Sequence, residues 1–148
     1  LEEAYRAGRL KAIGVSNFNA SRCEAFLRAC TVIPAVNQVE AHIFFQQRGL
    51  LEEMKKHGTH MQAWSPFAAG KNDFFSNPVL RALGLAHNKT PAQIALKYLV
   101  QLGISVIPKS SHRERMRENL GIFDFQLPDE DMQRIRALDG GKTLFGWY

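Results

Sequence analysis

The sequence has few cysteines and no long apolar run. Only two cysteines occur among 148 residues, Cys23 and Cys30, and they lie on one face of a predicted helix together with Phe26 and Leu27. This arrangement favours buried free thiols over a disulfide, and two cysteines without partnering histidines offer too few ligands for a metal ion. No segment approaches the ~20 apolar residues that span a bilayer, and the chain does not open on a signal-peptide pattern. We therefore expect a cytoplasmic protein with no metal site and no membrane partner.

The sequence also lacks a stripe of positive charge. Lysine and arginine (19) outnumber aspartate and glutamate (14), which gives a net charge of +5, but the basic residues are scattered among acidic ones. Surfaces that bind nucleic acid concentrate their basic residues and place aromatic residues among them. We therefore expect no nucleic-acid partner. A small polyanion, such as a phosphorylated dinucleotide, is a better explanation of the local basic cluster near the C-terminus.

Four short apolar segments organise the chain. They read LKAIGVSNF from Leu10, AVNQVE from Ala35, HMQAWSP from His60 and ISVIPKS from Ile104, and a helical stretch follows each one. Repeated strand–helix units predict an α/β fold with a parallel sheet, which presents its chemistry where the strands end. We expect one edge of this sheet to carry seven polar or aromatic residues: Ser16, Asn17, Gln38, Trp64, Ser65, Lys109 and Ser110. Such an edge suits a ligand that has a flat ring with an amide at one end and phosphates at the other.

Helix start signals lie between and after these segments. Asn19 is predicted to cap a helix that runs to about Cys30. Thr90–Gln93 has the pattern of a capping box with proline at the first helical position, and Ser111–Glu114 has the pattern of a second one. Pro128 is expected to open a last helix. Strands and helices therefore alternate along the whole sequence.

The first three strand ends offer partners for an amide and a ring. Gln38 can donate and accept hydrogen bonds at once, as a carboxamide requires of a partner, and Ser16 and Asn17 offer the same from the neighbouring strand. Trp64 provides a flat apolar face on which a ring can stack. The alternative is that Trp64 is a core residue and Gln38 a buried hydrogen-bonding residue.

The fourth strand end offers partners for a phosphate. Lys109–Ser111 leads into a predicted helix, and a helix N-terminus beside a lysine and hydroxyl groups is an anion site. Arg115, in the first turns of that helix, can hold a phosphate through two parallel hydrogen bonds. Arg113 and Arg117 lie four residues apart and are expected to face solvent.

Four motifs resemble those of a known family. GVSNF, NQVE, AWSP and IPKS, followed by His112–Asn119, resemble the second half of an aldo-keto reductase, and in particular bacterial 2,5-diketo-gluconate-reductase-like members. The resemblance covers essentially the whole sequence. It implies a TIM (β/α)8 barrel, of which residues 1–148 would supply about the last four βα units as a single C-terminal half. A complete barrel takes ~250 residues. The implied activity is NADPH-dependent reduction of a small aldehyde or ketone to an alcohol.

The resemblance also implies roles for individual residues in binding NADP(H). Four residues would hold the nicotinamide, namely Ser16, Asn17, Gln38 and Trp64. The adenosine end would use Lys109, Ser110 and Arg115 at the 2′-phosphate, Glu118 and Asn119 at the adenine, and Ser65 and Phe67 beside the pyrophosphate. NADP is expected over NAD because the cluster is basic.

No catalytic residue is assigned in this sequence. The resemblance implies a catalytic Asp, Tyr, Lys and His, and all four belong to the first half of the family's barrel. Tyr98 is expected in the core, and His42 lies just past the second strand, whereas the family's catalytic His is on an earlier strand. The chain alone is therefore expected to bind nucleotide at best.

The sequence looks like half of a larger assembly. A four-stranded half-barrel would have two open edges and one uncovered apolar face, so we expect it to need either the missing N-terminal half or a second copy. Two alternatives to the enzyme remain: a non-catalytic nucleotide-binding module and a self-associating half-barrel. Trp147 and Tyr148 at the end of the sequence could either line a substrate pocket or be packing residues.

Overall fold

The computed structural model describes residues 1–147, with four parallel strands paired in chain order. The strands are β1 (Gly14–Ser16), β2 (Val36–Glu40), β3 (His60–Trp64) and β4 (Ser105–Val106). The α-helices of the described residues are α1 (Glu2–Arg6), α2 (Ala20–Ala29), α3 (Arg48–Lys56), α4 (Pro78–His87), α5 (Pro91–Gln101), α6 (Arg113–Leu120) and α7 (Asp129–Arg136). The predicted alternation of strands with helices, and the parallel sheet, are confirmed.

The first strand is shorter than its apolar segment. Of the residues from Leu10 to Phe18, only Gly14–Ser16 pair with β2, in the register Gly14↔Val36. The two backbones approach closely there, since a Cβ at Gly14 would lie 2.7 Å from the main-chain oxygen of Val36. Glycine is therefore required by this contact.

Two of the predicted helix caps are present and one is not. The Asn19 side chain accepts from the N–H of Arg22 at 2.9 Å, and Thr90 forms a capping box at the start of α5. Ser111 does not cap α6. The helix begins at Arg113, with His112 as its N-cap residue and no side-chain cap, and the Ser110 hydroxyl oxygen accepts the N–H of His112 at 3.1 Å. The second predicted capping box is therefore wrong.

The core lies between one face of the sheet and the helices. Val39, Met61 and Ala63 point from the strands into this layer and are fully covered by helical side chains. Cys23 and Leu27 of α2 are buried as predicted, and both cysteines are free. The predicted stripe is only partly right, because Cys30 is half-buried and Phe26 is exposed at the sheet edge beside β1.

The middle of the opposite face is polar, which corrects in part the expectation of an uncovered apolar face. Ser16, Gln38, Gln62 and Ser105 occupy one lateral row across the four strands. Within the row, the Gln38 side-chain amide donates to the Gln62 side-chain oxygen at 2.6 Å. Large apolar side chains are instead exposed near the open β4 edge, namely Ile107, Met116, Leu120 and Phe123.

Candidate functional site

Backbone strain is concentrated where the strands end. Asn17 has φ = 58° and Ser65 has φ = 52°, and the loop after β3 continues with Ala68 and Ala69 at φ = 52° and 50°. Non-glycine residues rarely adopt this left-handed conformation, and such strain tends to persist at binding sites. The strained backbone turns the polar side chains of β1 and β3 onto the carboxyl rim of the sheet.

Four of the predicted site residues are joined by hydrogen bonds on this rim. The main-chain oxygen of Gln38 accepts from the Ser16 hydroxyl at 3.0 Å and from the Asn17 N–H at 2.9 Å. The indole N–H of Trp64 donates to the Asn17 side-chain oxygen at 2.8 Å. Trp64 is half-buried with its ring at the rim, so the alternative of a purely internal tryptophan does not hold.

The Asn17 and Gln38 side chains each keep one hydrogen-bonding group available, as a carboxamide ligand would require. The Trp64 indole occupies the Asn17 side-chain oxygen, and Gln62 occupies the Gln38 side-chain N–H2. Within residues 1–147 no recorded partner occupies the Asn17 side-chain N–H2 or the Gln38 side-chain oxygen. Asn17 can therefore donate a further hydrogen bond, and Gln38 can accept one.

Of the other predicted residues, all but Ser65 line one cleft of about 470 Å³ between α5 and α6. The loop after β3 contributes Phe67, so it connects this cleft to Ser65 and Trp64 on the rim. The predicted residues in the lining are Phe67, Lys109, Ser110, Ser111, Arg115, Glu118 and Asn119. The structure thus brings together side chains separated by up to 52 positions in the sequence (119 − 67).

The cleft contains two cations that form no ion pair within the described residues. Within residues 1–147, neither Lys109 nor Arg115 takes part in an ion pair. Glu118, the acidic residue of the lining, accepts from the Thr90 hydroxyl at 2.5 Å. Arg113 and Arg117 lie outside the lining and are exposed, in agreement with the expectation that they face solvent. The free cations point to an anionic ligand.

Two walls of the cleft were missed by sequence reasoning. Thr90 and Pro91, at the start of α5, and Phe75, in a short 3₁₀ turn, all line it. The sequence around Thr90 predicts the start of a helix, but it does not indicate that Thr90 lines a cleft. A somewhat larger cavity of about 630 Å³ lies beside β4 and is mostly apolar, and we attribute it to the open sheet edge.

His42 is fully buried beneath the rim. Its Nδ1 accepts the N–H of Phe45 at 3.1 Å, so its proton is on Nε2, which lies 3.0 Å from a Glu40 oxygen. Burial lowers the pKa of His42 below its usual 6.5. The imidazole is therefore neutral and serves as a hydrogen-bond donor to Glu40.

The described part of the chain holds neither a metal-binding cluster nor a helix that could span a bilayer. Among residues 1–147 no group of three or more His, Cys, Asp or Glu side chains is arranged to hold a metal ion. None of the helices in the same range is both long enough and apolar enough to cross a bilayer.

Comparison with known proteins identifies relatives along almost the whole chain. The model of the Aldo/keto reductase family matches residues 1–140. The chain is 40% identical over 147 residues to the 9,11-endoperoxide prostaglandin H2 reductase of Trypanosoma cruzi, which covers 99% of this chain and 52% of that protein.

Solved structures show the same fold. An aldo-keto reductase of the silkworm Bombyx mori, solved in complex with NADPH, superposes with a TM-score of 0.90 at 39% identity, over 96% of this chain and 46% of that one. A protein provisionally named 2,5-diketo-D-gluconic acid reductase B gives 0.90 at 35% identity, over 97% and 52%. The chain thus spans about half the length of its relatives, and its α/β fold is about half of a TIM (β/α)8 barrel.

Proposed function

Because the chain belongs to the aldo/keto reductase family, we propose that it is the C-terminal, cofactor-binding half of an NADPH-dependent carbonyl reductase. The whole enzyme would reduce a small aldehyde or ketone to an alcohol. The family match, the half-length coverage of the relatives and the NADPH complex of the silkworm relative support this proposal. As in the family, the bound cofactor would supply the hydride.

The observation that carries the proposal is the basic cleft between α5 and α6. Lys109 and Arg115 would bind the 2′-phosphate of NADPH, since both are free of acidic partners within residues 1–147 and line the same wall as the Ser110 hydroxyl. A guanidinium can hold a phosphate through two parallel hydrogen bonds. Glu118 and Asn119 would contact the adenine further along the cleft.

The rim would hold the other end of the cofactor. The free Asn17 N–H2 would donate to the nicotinamide carbonyl, and the Gln38 side-chain oxygen would accept from its N–H2. The Trp64 ring would stack on the nicotinamide and fix which face of it meets the substrate. Ser65 and Phe67, in the strained loop between rim and cleft, would lie beside the pyrophosphate.

The chemistry that follows hydride transfer would need residues outside this chain. We propose that the proton donor and its supporting residues belong to the other half of the barrel. The purified chain should therefore not oxidise NADPH in the presence of any carbonyl compound. Carbonyl-dependent oxidation of NADPH by this chain alone would contradict the proposal.

The open sheet edges indicate where the other half would add. β1 and β4 each have one neighbour in the sheet, and exposed apolar side chains, among them Phe26 and Phe123, lie near these edges. The N-terminal half of the barrel is the partner we propose. A second copy is the alternative that the same edges favour, and molar mass by light scattering distinguishes them, since only self-association gives a dimer of the isolated chain.

A fluorescence titration with NADPH and then NADH tests the proposal. Trp64 should be quenched by both cofactors, and NADPH should saturate the signal at a lower concentration. A Trp147→Phe background leaves Trp64 as the single tryptophan, because the sequence has two. Absence of quenching, or equal affinity for the two cofactors, would contradict the assignment of the cleft.

A further inference from the structure

The C-terminal segment, residues 143–147, crosses the rim and contacts Trp64. The Phe145 ring lies edge-on to Trp64 with centroids 5.2 Å apart, and the Trp147 ring lies 5.9 Å from it. Trp147 therefore contacts the Trp64 ring, which does not decide between a pocket-lining and a packing role, and Tyr148 lies outside the described residues. The contacts place two aromatic side chains beside the proposed nicotinamide platform.

A buried carboxylate holds the start of this segment. Glu40, the last residue of β2, is fully buried and accepts from the N–H of Leu144 at 2.8 Å and from the Thr143 hydroxyl. His42 donates to the same carboxylate from the strand side. If the segment left the rim, Glu40 would lose two hydrogen-bond donors. Such a loss is unfavourable, so the anchor favours the docked segment.

A lysine from the loop after β3 holds the next residues. The Lys71 ammonium donates to the main-chain oxygen of Leu144 at 2.8 Å and lies 4.2 Å from the centroid of the Phe145 ring. This position combines a charge-assisted hydrogen bond with a cation–π contact. Lys71 also belongs to the loop that carries Ser65 and Phe67. The contacts of Lys71 therefore tie the segment to the loop between rim and cleft.

We propose that Glu40 and Lys71 are positioning residues that dock the C-terminal segment on the rim and so place Phe145 and Trp147 beside Trp64. The aromatic surroundings of the nicotinamide end are then set by one residue of β2 and one of the β3 loop, acting on the segment. The placement of Phe145 and Trp147 matters for the reaction only under the proposed function, in which Trp64 stacks on the nicotinamide. The docking itself does not depend on it.

The two tryptophans provide a direct measure of docking. Trp64 and Trp147 are the only tryptophans in the sequence, and indole rings 5.9 Å apart couple their transitions and give paired circular-dichroism bands of opposite sign. We expect this couplet in the free chain, and Trp147→Phe should abolish it and thereby assign it. A wild-type chain without the couplet would overturn the proposal.

Variants then test the two anchors. Lys71→Met should weaken the couplet and raise the undocked fraction about tenfold, the equivalent of ~1.4 kcal/mol, while Lys71→Arg should restore it because arginine keeps the donor and the cation. Lys142→Met is the matched control, since Lys142 is an exposed lysine beside the segment with no recorded ion pair in residues 1–147, and it should leave the couplet unchanged.

Glu40→Gln should also remove the couplet, because an amide cannot accept from all the donors that face Glu40. Because Glu40 is buried, helical ellipticity must show that this variant still folds. Lys71 is exposed, so Lys71→Met is the variant that decides the test. A couplet that persists in Lys71→Met, or that Lys71→Arg fails to restore, would overturn the proposal. The couplet is measured without cofactor, so a failed NADPH titration would contradict the proposed function and not the docking.

Discussion

Removing one cation from the cleft should lower the affinity for NADPH and not the affinity for NADH. In Arg115→Ala, the chain loses a guanidinium that lines the cleft and has no ion pair within residues 1–147. NADH lacks the 2′-phosphate that this group is proposed to hold. The variant should therefore weaken NADPH binding and leave NADH binding nearly unchanged.

The expected size of the effect follows from the charges. Two unit charges 4 Å apart interact by ~1 kcal/mol in water, and a phosphate monoester carries roughly 1.5 to 2 negative charges. Arg115 is exposed, so the value for water applies, and the loss of ~1.5 kcal/mol corresponds to about a tenfold weaker Kd for NADPH. Lys109→Ala should have a similar effect, and the double variant should approach a hundredfold if the two act independently.

The assay is the tryptophan titration in the Trp147→Phe background, repeated at low and high salt. Arg113→Ala is the control, because it removes the same charge from the same helix outside the cleft lining. It should change the Kd for NADPH less than twofold, and the preference for NADPH should shrink as salt screens the phosphate. An equal loss of NADPH and NADH binding in Arg115→Ala, or an equal effect of Arg113→Ala, would refute the assignment.

Three further predictions concern the stability of the fold. Gly14→Ala should lower the free energy of unfolding by ~1–3 kcal/mol, because the new Cβ would meet a main-chain oxygen of β2 at 2.7 Å. Urea unfolding measures this loss. Gly49→Ala is the control and should not destabilise the fold, because a Cβ at Gly49 meets nothing within 4 Å. Tyr98→Phe should cost ~1–3 kcal/mol, since it removes the hydroxyl that donates to buried Gln46 at 2.6 Å, and a neutral result would contradict the importance of this bond. The pKa of His42 lies below 6.5 in the folded state, so the unfolded chain takes up this proton first and stability should fall as the pH drops through 6.5. An NMR titration of His42 that gives a pKa above 6.5 would reverse that sign.

Some sequence predictions failed for local reasons that the structure makes clear. Ser111 has the pattern of a helix cap, but α6 begins at Arg113 with His112 as its N-cap residue, so Ser111 lies one position too early to cap it. The uncovered face was expected to be apolar because barrel interiors usually are, yet alternation along β2 and β3 places Gln38 and Gln62 on it. Strand alternation was readable from the sequence, but which face the helices cover was not.

The sequence by itself determined the order of strands and helices, the parallel sheet, the capping of α2 and α5, and the family. These depend on local patterns: short apolar segments, capping side chains and four motifs at their spacing. Tertiary structure decided which side chains contact one another at the strand ends. Only the packed chain shows that the Trp64 indole occupies one side of the Asn17 amide, that Thr90 and Phe75 wall the basic cleft, and that the C-terminal segment docks on Glu40. Contacts between residues 47 to 104 positions apart (64 − 17; 144 − 40) depend on how the helices pack on the sheet, and no local pattern encodes them.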